Sequence, residues 1–180
     1  MTRSEAFEFV QKNLKNKNML KHCLASEAVM RALADHFNQD KEMWGLAGLL
    51  HDADSEIASP DRQGVVVGEM LKGKLVPEII YAMAAHNEET GIKPKSKIDW
   101  GLFSSEKMTG LIVAAALILP AKKLSDVTAE MVLRRFKEKS FARGAKRESI
   151  KECEKLGLSL EDFTKICLKA MQNISNDLGL

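Results

Sequence analysis

Apolar residues recur along this chain at intervals of three and four, the repeat of an α-helix with one buried face. A first helix capped by Ser4 carries Phe7, Val10 and Leu14 on one side. From about Met19 to Phe37, His22, Ala25, Val29 and Leu33 share a stripe, so the His22 imidazole is expected to face the core. Asp40 is the expected cap of a third helix, whose apolar run Met43 to Leu50 ends in the adjacent pair His51-Asp52. Residues Asp54 to Arg62 read as a loop, followed by a helix from about Gln63 to Leu71. Pro77 opens the next helix, which carries Ile79, Ile80 and Met83 and delivers His86-Asn87 at its end. A long helix from about Lys97 to Leu119 places Leu102, Phe103, Glu106, Thr109, Gly110, Val113 and Leu117 on or near one face. Ser125 and Asp126 are candidate caps of a short helix with Val132 and Phe136. The last helix, from about Ser159, buries Phe163, Cys167 and Met171. No segment alternates with period two. The pattern predicts an all-α bundle of about eight or nine helices, one domain over residues 1–180.

Composition narrows the class. The 180 residues can bury a sizeable core, and the 45% hydrophobic fraction is ordinary for a soluble domain. A formal net charge of +2 with mixed signs makes no case for nucleic acid or a membrane surface as partner. The longest apolar run, Leu111 to Leu119, is too short to span a bilayer. Met1 to Glu5 does not open a secretory leader, so a cytoplasmic location is expected. Cys23, Cys153 and Cys167 are odd in number and form no CxxC pair, which favours buried free thiols.

Candidate chemistry comes from polar residues on apolar faces. An imidazole and a carboxylate at the end of a buried helix need partners, because unpaired buried polar groups are costly. His22, His51, Asp52 and Glu106 together supply two imidazoles and two carboxylates, a mixed N/O set suited to one divalent ion such as Mn, Fe, Ni, Co, Zn or Mg. Read singly, His22 is a core histidine satisfied by one hydrogen bond and Asp52 a helix-end carboxylate. A buried hydrogen-bond network without metal is a third reading of the set.

The order His22, His51-Asp52, then an acidic residue at 106 resembles the HD superfamily of metal-dependent phosphohydrolases. The phrases Ala47-Gly48-Leu49-Leu50-His51-Asp52, Ala84-Ala85-His86-Asn87 and Ser105 to Ile112 resemble a small bacterial branch of it. The resemblance runs from about Met19 to Arg147. It implies packed helices around a central metal, with His22, His51 and Asp52 as ligands, and hydrolysis of a small phosphorylated metabolite or nucleotide. Two positions depart from the pattern. Glu106 stands where the family's last ligand is Asp, and Gln63-Gly64 stands where a polyphosphate-cleaving branch with two metals has His-Gly. These departures imply one metal rather than two. They also motivate the alternative of a degenerate domain that binds a nucleotide or protein partner without turnover.

His86 is a candidate proton shuttle, second-metal ligand or phosphate contact, and Asp54 a candidate to take a proton or orient a ligand imidazole, with a helix-end histidine and a loop cap as their plainer readings. The basic segment from Phe136 to Arg147 supplies Lys137, Lys139 and Arg147 as candidate substrate-binding residues. Its plainer reading is a solvated charged face.

Overall fold

The computed structural model describes residues 1–180 and contains ten α-helices, four short 3-10 helices and no strand. α1 (Arg3–Asn13), α2 (Lys17–His36) and α3 (Lys41–Leu50) form the N-terminal layer. α4 (Val65–Met70), α5 (Pro77–Ala85) and the long α6 (Lys97–Leu117) follow. α7 (Ala129–Lys137), α8 (Arg147–Lys151), α9 (Leu160–Asn173) and α10 (Ser175–Leu178) complete the chain. A continuous apolar cluster runs from Ala6 to Leu178, and α2, α3 and α6 supply much of it. No helix is long and apolar enough to cross a membrane.

Most helix starts carry an identifiable cap. The Asp40 carboxylate accepts from the Met43 amide, the Ser159 hydroxyl from that of Asp162, and Pro77 occupies the first turn of α5, all as the pattern predicts. The first helix instead starts two residues earlier than a Ser4 cap allows. Thr2 is its cap, and Glu5 returns a bond to the Thr2 amide in a capping box. Thr128, not Ser125 or Asp126, caps α7. Those two residues lie in a 3-10 turn of their own. The helix expected over 63–71 is shortened to Val65–Met70, because Gly64 is left-handed with φ 87°.

One expectation of burial fails. On α6, Leu102 and Thr109 are buried, but the core face then passes to Leu111, Ile112, Ala115 and Ala116. Gly110 and Leu117 face outward, Leu117 with 48% of its surface exposed. All three cysteines are buried free thiols. Burial pushes the Cys153 thiol up to about 11, so it stays protonated.

Candidate metal centre

The site forms where α2, α3, α5 and α6 meet. α2 and α3 share the most extensive helix–helix contact in the fold. A Cβ on Gly48 would lie 2.6 Å from the Ser26 carbonyl oxygen, so only glycine permits this approach. That crossing brings the α2 histidine to the end of α3. His22 Nε2 and His51 Nε2 stand 3.2 Å apart. Asp52 Oδ2 lies 3.5 Å from His22 Nε2 and 3.4 Å from His51 Nε2. These three side chains form a group with ligand atoms within 4.8 Å of one another. Glu106 Oε1 approaches from α6 to 3.7 Å from His22 Nε2.

The tautomers follow from the outer partners. His51 Nδ1 is 2.8 Å from the Gly48 carbonyl, which can only accept, so that nitrogen carries the proton. Thr109 donates its hydroxyl to the Glu106 carbonyl at 2.7 Å and therefore accepts at 3.5 Å from His22 Nδ1. Both Nε2 atoms then present lone pairs to each other and to a carboxylate. A cluster of acceptors facing inward is repulsive until a proton or a cation enters it. The residues present fit a divalent ion, and the outer bonds that orient them are of the kind that steady metal-binding histidines.

Charge within the site follows the same geometry. Burial and neighbouring His51 hold His22 below the ordinary histidine value. Burial acts the same way on His51, but Asp52, Glu106 and the Gly48 bond outweigh it and leave His51 raised. Burial opposes ionisation of Asp52, yet His51 and His86 hold its carboxyl well below the usual range. Glu106 is likewise lowered against its burial by Lys107, His22 and His86.

Two further side chains join the group. His86, the C-terminal cap of α5, places Nε2 3.3 Å from Asp52 Oδ1 and donates Nδ1–H to the Met83 carbonyl at 2.5 Å. Its ring meets that of His51 edge-on at 4.8 Å. Gln63 donates to Asp52 Oδ1 at 2.5 Å. The position where the resemblance has histidine is thus filled by an amide that holds the carboxylate. Lys107 is the residue that sequence reasoning missed. Its ammonium pairs with Glu106 Oε2. The side chain reaches back beside its neighbour, an arrangement that no periodicity signals.

The other candidates stand elsewhere. Asp54 is buried, and its carboxylate accepts from the Gly64 amide at 2.9 Å and the Val67 amide at 2.8 Å. It closes the start of α4, the loop-capping role, and both oxygens are engaged. Arg147 donates to the carbonyls of Phe136, Ala142, Ala145, Arg135, Glu138 and Phe141. It knits the turn between α7 and α8 together rather than offering its fork to a ligand. Lys137 and Lys139 are exposed and line a cleft with Arg143, Lys146, Arg147 and Lys151 to which none of the four ligand candidates contributes.

By fold and site, the class is an all-helical bundle whose His22-His51-Asp52 group could hold a metal ion. Residues 19–156 match the HD domain model, and the chain belongs to the HD superfamily of metal-dependent phosphohydrolases. No curated protein and no solved structure matches it.

Proposed function

We propose that the chain, as one HD-type domain, hydrolyses the phosphate ester or anhydride of a small phosphorylated metabolite or nucleotide with one divalent ion. The observation that carries this reading is the convergence of the His22 and His51 lone pairs on Asp52, with Glu106 as the fourth donor. A bound divalent ion supplies Lewis acidity there, polarising a phosphoryl oxygen and acidifying water. His22, His51, Asp52 and Glu106 hold it. His86 sets its Nε2 beside Asp52, in position to take a proton from the attacking water or pass one to the leaving oxygen. Gln63 and Thr109 keep Asp52 and His22 in orientation. Lys107, beside Glu106, would add positive charge toward the phosphoryl group.

The test is phosphate release from a panel of phosphorylated metabolites and nucleotides with Mn, Fe, Co, Ni, Zn or Mg added in turn. Turnover that disappears in Asp52→Asn and His51→Gln, with the cooperative unfolding transition retained, supports the reading. Turnover that survives both replacements overturns it. Binding without turnover is the second reading, favoured because Gln63 already holds one oxygen of Asp52 where the resemblance has histidine. It predicts ligand-dependent stabilisation with no product.

A further inference from the structure

The stripe of α6 that periodicity assigns to the core lines a groove instead. Thr109, Gly110, Val113 and Leu117 fall on one face of α6, in the same stripe as Glu106. Opposite them stand Asn18, Lys21, His22 and Ala25, one face of α2. Leu178 and Leu180 close the groove, which has a volume of about 390 Å³, a size within the usual range for small-molecule sites. His22 belongs both to this groove and to the candidate metal centre. It is also on the open side of that centre: the His22 and Glu106 side chains are 19% and 15% exposed, whereas His51 is fully buried.

Gly110 has no packing reason to be glycine. A Cβ built there meets nothing within 4 Å. Its φ is not left-handed. Mid-helix glycine is unfavourable relative to alanine, so what its absent side chain provides is space in the groove. Ala25, Val113, Leu117, Leu178 and Leu180 make much of the wall apolar, and Asn18, Lys21, His22 and Thr109 supply its polar side chains.

We propose that this α2–α6 groove is the subsite for the part of the substrate remote from the phosphate, and that Gly110 sets how large that part can be. The substrate class is then a phosphate ester whose other half is an apolar ring or branched chain, not a polyhydroxylated sugar. The proposal rests on the phosphohydrolase reading, since it takes the phosphate to lie at the metal centre.

The experiment is calorimetric titration of the full chain, with and without Mn²⁺, using two non-hydrolysable probes: naphthylmethylphosphonate and 2-hydroxyethylphosphonate. The expected result is at least tenfold tighter binding of the naphthyl probe, with Gly110→Leu bringing the two probes to within about threefold. The substitution is compatible with folding, because leucine is the better helix former and the space is open. Equal binding of the two probes by the wild-type chain overturns the proposal, as does a preference that survives Gly110→Leu. If Mn²⁺ strengthens neither probe, the phosphohydrolase reading fails, and with it the placement of the phosphate. Equal but Mn²⁺-dependent binding overturns the groove alone.

Discussion

Replacing Arg147 separates a scaffold role from a ligand-binding one. Its guanidinium reaches six main-chain carbonyls between Arg135 and Ala145, and its cation lies 5.7 Å from the centre of the Phe136 ring. Arg147→Met keeps the stem and removes every donor. A hydrogen bond from a charged group contributes about 1.5–3 kcal/mol net. The six contacts share five N–H groups, and several of the carbonyls regain water when the arginine is gone. The loss therefore corresponds to about two full bonds, or about 3–6 kcal/mol. For a chain of this length, each kcal/mol moves the midpoint by about 2–4 °C, so thermal unfolding should fall by about 6–24 °C. Arg147→Lys should recover little, because one ammonium cannot reproduce the planar fork. Circular dichroism melts and urea titrations measure both variants. A change below about 1 kcal/mol in Arg147→Met, or weakened binding of a phosphorylated ligand at unchanged stability, refutes the scaffold assignment.

Three other substitutions test other parts of the account. Asp54→Ala should lose about 1–3 kcal/mol by urea unfolding, since the Gly64 and Val67 amides lose their acceptor, while metal uptake persists. Gly110→Ala should gain up to about 1 kcal/mol, because the site is helical and its Cβ position is open. Glu88 is held below the usual carboxylate range by its hydrogen bond from Lys146, with Ser149 adding to it. A lowered folded-state value means that its contribution is present above the unfolded value of about 4.3 and is lost as pH falls through the folded one. Glu88→Gln should therefore flatten the pH dependence of the melting midpoint below about pH 4.3, and an unchanged slope contradicts the pairing.

Much of this was legible in the chain. The stripes of α2 and α3 placed His22, His51 and Asp52 together because each lies at a fixed offset from residues that must be buried. Asp40, Pro77 and Ser159 marked helix starts through their own chemistry. The Thr2 cap was readable too, since Thr2 and Glu5 have the spacing of a capping box. The failures share another physical origin. Periodicity reports that a face is apolar, not what covers it, so Gly110 and Leu117 read as core although they line a groove. A run of basic residues gives no sign of which cation folds back on its own main chain, as Arg147 does. Lys107 pairs with the adjacent side chain, and its direction is set by tertiary space rather than by spacing. Asp54 satisfies amides ten and thirteen residues further on, which only the turn at Gly64 brings within reach.

The central claim is that His22, His51, Asp52 and Glu106 hold one divalent ion. Elemental analysis of the purified untagged chain, followed by chelation and re-addition of Mn or Fe, tests it most directly. The account predicts close to one ion per chain. It also predicts a melting midpoint that drops on chelation and returns on reloading, by about 2.7 kcal/mol of stabilisation at a hundredfold excess over Kd. Replacement of His51 should abolish both. A chain that carries no metal, takes none up after chelation and melts at the same temperature throughout contradicts the claim.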